Sequence, residues 1–248
     1  MSDTPDRRLV VNADDFGRSE AINEGVLRGH VDGIVTSASL MVRQPVAAEA
    51  VAMARDHPDL GLGLHIDLAE WELVEGEWLP TYQVVDTADH RTVRSEIERQ
   101  LETFRALVGE DPTHLDSHQH VHRDDPVGAI ALRLATELGI PLRGRGPIHT
   151  CGAFYGQDRQ GRSVQGAVGP DALIGLLHSL PPGESELCCH PAAAAEPFTS
   201  YSVERPIELR SLCDPAVRRA TRELDIRLCN FRQLRHNRET KGPTCSRR

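Results

Sequence analysis

Four short apolar runs in this chain end in residues that bind metals or move protons. Leu9-Val10-Val11 leads through Asn12-Ala13 into Asp14-Asp15-Phe16-Gly17. Leu60 to Leu64 leads into His65-Ile66-Asp67, and Thr113 to Ser117 leads into His118-Gln119-His120-Val121-His122. Glu186-Leu187-Cys188-Cys189 leads into His190-Pro191. A buried strand that ends in Asp-Asp is costly unless something pairs with the charges. A metal ion fits that demand, with one carboxylate as ligand and the other free to act as a base. A loop with an Asp cap would explain one such strand end. Four of them, spread over most of the chain, are hard to explain as independent accidents.

The segments between these runs read as helices. Ser19 is a helix N-cap, and the helix runs to about Val31, ended by Gly33. Ile34 to Val42 reads as a second strand, Ala47 to Asp56 as a helix and Leu60 to Ile66 as the third strand. Val93, Ile97, Leu101, Phe104 and Val108 recur at helical spacing, which predicts a helix over Thr92 to Val108. Pro112-Thr113 opens the His-rich strand. Asp125-Pro126 opens a helix to Leu138-Gly139, and Ile140 to Arg143 is a short strand. Gly144 to Gly169 reads as a long loop and Asp171 to Leu180 as a helix. The His190 strand follows, then a helix from Asp214-Pro215 to Leu224 and a last strand from Ile226 to Cys229. Leu68 to His90, which holds Trp71 and Trp78, shows no clear period. Strands alternating with helices, with polar residues at the C-terminal strand ends, predict an α/β protein. The expected form is an irregular (β/α) TIM-like barrel with its site on that face. One domain over 1–234 and a polar tail over 235–248 are expected.

Composition sets the outer bounds. A chain of 248 residues suffices for one large α/β domain. A net charge of -9 argues against a nucleic-acid partner, and no run near 18 apolar residues is present to span a membrane. Met1 to Arg8 lacks a signal-peptide core, so the cytoplasm is the expected location. None of the six cysteines lies in a C-x-x-C pair, which points to reduced thiols. Cys188-Cys189 reads as core packing in preference to a metal site. The assembly stays open between monomer and homodimer.

The motifs together resemble the YdjC-like carbohydrate deacetylases. The matching pieces are Val11 to Gly17, Gly33-Ile34-Val35-Thr36-Ser37, Gly63-Leu64-His65, and Pro112 through His122. Phe154-Tyr155-Gly156, Cys189-His190-Pro191 and Arg205-Pro206-Ile207-Glu208-Leu209 continue the series in the family's order. The resemblance implies hydrolysis of an N-acetyl group from an amino sugar or oligosaccharide, with one divalent ion, Mg²⁺ or Zn²⁺, as cofactor. It implies Asp15, His65 and His118 as metal ligands, Asp14 as the general base and His190 as the group that protonates the leaving amine or holds the oxyanion. Phe154, Tyr155 and Arg205 are carried over as substrate-binding or supporting residues. Asp116 is expected to hold a ligand His, and His120 and His122 to contact substrate or orient ligands. His114, Asp116, His118, His120 and His122 share one parity and would face one side of a regular strand. Ala192 departs from the Gly common in the family after the late His-Pro. Trp71 and Trp78 are read either as sugar-stacking faces or as packing of a long insert. A different metal-dependent amidohydrolase is a weaker reading, since its bridging Lys would have to be Lys241, in the tail. A non-catalytic sugar-binding relative would not need every chemical position intact.

Overall fold

Strand β1 (Arg7–Phe16) is the axis of the molecule, flanked by strands on both edges. In the computed structural model, which describes residues 6–74, 76–197 and 199–234, Leu9, Val10 and Val11 are fully buried. Burial on both faces is what a parallel strand covered by helices requires. Helix α1 (Glu20–Val31) follows, its first turn held where Ser19 Oγ accepts the Ile22 N–H at 3.1 Å. Then come β2 (Ser37–Leu40), α2 (Ala47–Ala54), β3 (Gly61–Ile66) and a hairpin of β4 (Ala69–Val74) and β5 (Glu77–Gln83). Helix α3 (His90–Val108) is capped by Asp89 and closed by Gly109 in the left-handed region, at φ 89°. Strand β6 (Leu115–Ser117), α4 (Val127–Leu138), β7 (His149–Cys151) and α5 (Pro170–Ser179) follow. The chain closes with β8 (Gly183–Cys189), α6 (Glu204–Leu212), α7 (Pro215–Glu223) and β9 (Ile226–Leu228).

The main sheet is parallel, in the order β6-β3-β2-β1-β8-β7. β9 pairs with Arg7 to Leu9, and β2 with the C-terminal half of the same strand. A parallel bridge from Leu115 to Leu142 extends the sheet beyond β6. Among the described residues no pairing joins Leu142 to β7. The sheet curls like part of a barrel but stays open, so the fully closed TIM-like barrel is not what the chain forms.

Three local expectations change. Leu68 to His90 is not structureless, because most of it is the β4–β5 hairpin. The His-rich strand ends at Ser117 and passes into a 3-10 turn over His118–Arg123. Gln119 and His120 there take φ of 49° and 57°, which breaks the alternation that would have aligned every second residue. Strand β7 lies inside the segment expected to be a loop. The tail over 235–248, with Lys241 and Cys245, lies outside the described residues.

Two glycines bring backbone and ring close to the site. A Cβ on Gly63 would stand 2.3 Å from His114 Cε1, so β3 can run past that ring only with glycine there. A Cβ on Gly25 would stand 2.4 Å from Ala192 Cα. Helix α1 therefore packs directly on the backbone that follows His190.

Candidate metal centre and active site

The C-terminal ends of the parallel strands gather the polar residues. β1 carries a one-residue bulge, with Ala13 opposite Ala38 but Phe16 opposite Leu40. Asp15 sits in that bulge at φ 67°, a strained conformation for a non-glycine residue. The bulge turns two adjacent carboxylates into the same cavity, which a regular strand would point to opposite faces. His65 near the end of β3 and His118 just past β6 complete the group.

Asp15 Oδ1 lies 3.5 Å from His65 Nε2 and 3.0 Å from His118 Nδ1. One ligand atom from each of the three residues lies within 4.8 Å of the others. Ligands about 2.0–2.2 Å from a tetrahedral ion stand roughly 3.3–3.6 Å apart, so a carboxylate and two imidazoles fit a divalent cation here. His65 Nδ1 faces Asp116 Oδ1 at 2.7 Å, the contact that orients a ligand imidazole from behind.

Each of the two aspartates has its own arginine. Arg143 grips Asp14 with both terminal nitrogens, at 2.6 and 2.7 Å, and also reaches Asp116 at 2.7 Å and Glu186 at 2.6 Å. Arg205 donates from Nη2 to Asp15 Oδ2 at 2.5 Å. Burial alone would raise the Asp14 carboxyl, but Arg143 outweighs it and holds the group at about 2. Burial likewise opposes ionised Asp15, and Arg205 with His118 drives its pKa well below the ordinary value. His65 is disfavoured as a cation by burial, yet Asp116 and its neighbours raise it to about 10. His118 is raised against burial by Asp15. The same carboxylates that would share an ion with these rings thus favour the protonated form of both.

His190 follows β8, the strand paired with β1, and its Nε2 lies 3.9 Å from Asp14 Oδ2. Its backbone N–H donates to Glu208 Oε2 at 2.5 Å, and the Tyr201 hydroxyl donates to Glu208 Oε1. Tyr155 stacks on Tyr201 at 4.5 Å between ring centres and is 42% exposed at the mouth. The cavity measures about 810 Å³, and Trp71, Trp78 and Tyr155 are among the residues that line it.

A model of the YdjC-like proteins matches residues 8–223. The chain belongs to the YdjC-like family. A carbohydrate deacetylase of Geobacillus stearothermophilus is 32% identical, covering 92% of this chain and 98% of its own. A crystal structure from Enterococcus faecalis V583, described as a cellobiose-phosphate cleavage protein, superposes with a TM-score of 0.75 at 26% identity and covers 92% of this chain and 99% of its own. A peptidoglycan N-acetylglucosamine deacetylase shares the fold with a TM-score of 0.58 at 11% identity, over 93% of this chain and 88% of its own.

In this YdjC-like chain the expected site residues fall into three groups. Asp14, Asp15, His65, His118, His120, Phe154, Tyr155, His190 and Arg205 line the cavity. Phe154 is nonetheless 1% exposed and packs as part of the hydrophobic core. Asp116 stands behind His65. His122 turns away from the cavity, its Nδ1 2.6 Å from Ser117 Oγ and its Nε2 3.1 Å from the Arg143 carbonyl, so no direct substrate contact is open to it. His114 is a core residue stacked on Phe231 at 4.0 Å. Burial lowers the pKa of His120 to about 3 and those of His114 and His122 to about 4, so all three are neutral. Arg205 supports Asp15 directly. Sequence reasoning missed Arg143, Glu186 and the Arg18–Glu70 pair, in which Arg18 Nη2 lies 2.7 Å from Glu70 beside His118. Arg143 did carry a signal: like the other site residues, it ends a short apolar run.

Proposed function

We propose that the chain is a metal-dependent hydrolase that removes an N-acetyl group from an amino sugar or oligosaccharide and releases acetate. One observation carries the reading: adjacent Asp14 and Asp15 face one cavity but are held by different arginines, and Asp15 stands between the His65 and His118 imidazoles. A divalent ion, Mg²⁺ or Zn²⁺, held by Asp15, His65 and His118 would polarise the acetyl carbonyl and acidify the attacking water. Asp14 is positioned to accept that water's proton. Arg143 keeps it ionised at every working pH and fixes its aim, at some cost in base strength. His190, beside Asp14 at the end of the neighbouring strand, is placed to give a proton to the departing amine. Trp71, Trp78 and Tyr155 offer flat faces to a sugar ring. The carbohydrate deacetylase names of the relatives agree with this chemistry, and the location expected for the reaction is the cytoplasm.

Acetate release from a panel of N-acetylated sugars tests the proposal. Asp14→Asn should keep bound metal and lose about 10²–10⁴ in rate. Asp15→Asn should lose metal instead. Near-normal acetate release by metal-loaded Asp14→Asn would remove Asp14 from the role of base.

A further inference from the structure

We propose a second metal site in the same cavity, formed by Asp14, Cys188 and His190, that takes a soft divalent cation such as Zn²⁺. Cys188 Sγ lies 3.2 Å from Asp14 Oδ2, and His190 Nε2 lies 3.9 Å from the same oxygen. All three ligand atoms fall within 4.8 Å of one another. A tetrahedral ion with bonds of about 2.3 Å to sulfur and 2.0–2.2 Å to nitrogen and oxygen needs separations of roughly 3.3–3.7 Å, so small side-chain movements suffice. The trio shares no residue with Asp15, His65 and His118.

Three further observations support the site. Among the described residues no hydrogen bond holds either ring nitrogen of His190, and its buried Nδ1 has only the longer contact to Glu208 Oε1, at 3.8 Å. All three residues line the cavity, so an ion can reach them. Arg143, the guanidinium paired with Asp14, is shared with Asp116 and Glu186. The donor set also sets selectivity: a thiolate and an imidazole favour Zn²⁺ or Co²⁺ over Mg²⁺. On binding, the Cys188 S–H bond breaks, the proton leaves to solvent and a metal–sulfur bond forms, with no change of oxidation state. Filling the site makes Asp14 and His190 ligands. If the proposed hydrolysis is right, excess Zn²⁺ is therefore an inhibitor, and only this part rests on that reading.

Titration with Co²⁺ followed by absorption reads the site directly. The second equivalent should bring in the near-ultraviolet thiolate-to-cobalt band. Cys188→Ser and Cys188→Ala should both lack the band, and His190→Ala should weaken the second binding step by at least about tenfold while sparing the first. No band in the wild type, a band that survives in Cys188→Ala, or a band that arrives with the first equivalent would each overturn the proposal. In the activity arm each variant is scaled to its own rate without added Zn²⁺. The inhibitory midpoint should rise at least about tenfold in Cys188→Ala, and an unchanged midpoint would refute inhibition through this site. A cobalt band with no acetate release from any sugar would sink the deacetylase reading and leave the metal site standing.

Discussion

Metal binding should be strongly linked to proton release, and His65 sets the scale. Its pKa of about 10 means that the ring carries a proton at neutral pH, held by Asp116 against the penalty of burial. His118 is raised too, by Asp15. A ligand imidazole must be neutral, so an ion entering between them displaces those protons. Deprotonating a group of pKa about 10 at pH 7 costs roughly 4 kcal/mol, and that cost falls by about 1.4 kcal/mol for each pH unit gained. Apparent affinity should therefore climb by one to two powers of ten per pH unit near neutrality, one for each displaced proton. Isothermal titration in buffers of different ionisation enthalpy counts the protons released, of which His65 accounts for one at neutral pH. The metal-free protein has the opposite sign. A His whose folded pKa exceeds its ordinary 6.5 stabilises the fold fully below about pH 6.5 and loses that contribution as pH rises through about 10. Its melting temperature should fall over that window. A metal affinity flat with pH, with no protons released, would refute the placement of the ion between these two rings.

Further outcomes are expected elsewhere in the fold. Gly63→Ala should cost about 1–3 kcal/mol or more in urea unfolding, because the His114 ring is pinned by Ser39, Thr113 and Phe231 and cannot retreat. Adding His114→Ala should recover part of that loss, and a Gly63→Ala protein of wild-type stability would contradict the packing. Arg143→Met leaves Asp14, Asp116 and Glu186 buried without their shared cation and should cost about 3–5 kcal/mol, whereas a loss near zero would mean that the charges are not buried together. Thiol titration of denatured protein should find six groups. In the native protein Cys213 should react fastest among the five described cysteines, since Cys151, Cys188, Cys189 and Cys229 are buried.

What was legible follows from how each group earns its place. Asp15, His65 and His118 close apolar runs, and a parallel sheet turns such run ends into one face, so local pattern sufficed to gather them. The β4–β5 hairpin was illegible because it projects from the sheet: Trp78 is 60% exposed and much of β5 is solvent-facing, so no alternation is imposed. Helix α6 escaped notice for the opposite reason. Its buried residues include Glu204, Arg205, Glu208 and Ser211, so the face it turns inward is polar and leaves no apolar stripe. The parity argument for the His-rich segment failed at Gln119 and His120, whose left-handed backbone separates His118, in the metal group, from His122, behind it.

The pairing of charges was the least legible feature, and it is the one that holds the site together. Asp14 and Arg143 are 129 residues apart in sequence, Asp15 and Arg205 are 190, and His65 and Asp116 are 51. Nothing local marks such partners, because a buried carboxylate needs only some cation nearby and the fold decides which. Once paired, the carboxylates have distinct fates. Asp14 and Asp15 are balanced by guanidiniums that cannot give up their charge at working pH. Asp116 is balanced in part by an imidazolium that can. The charge at this site that a divalent ion would replace is therefore the proton of His65, and replacing it leaves both arginine–aspartate pairs intact. A bound ion would thus take the place of positive charge that Asp116 and Asp15 already draw to the His65 and His118 rings.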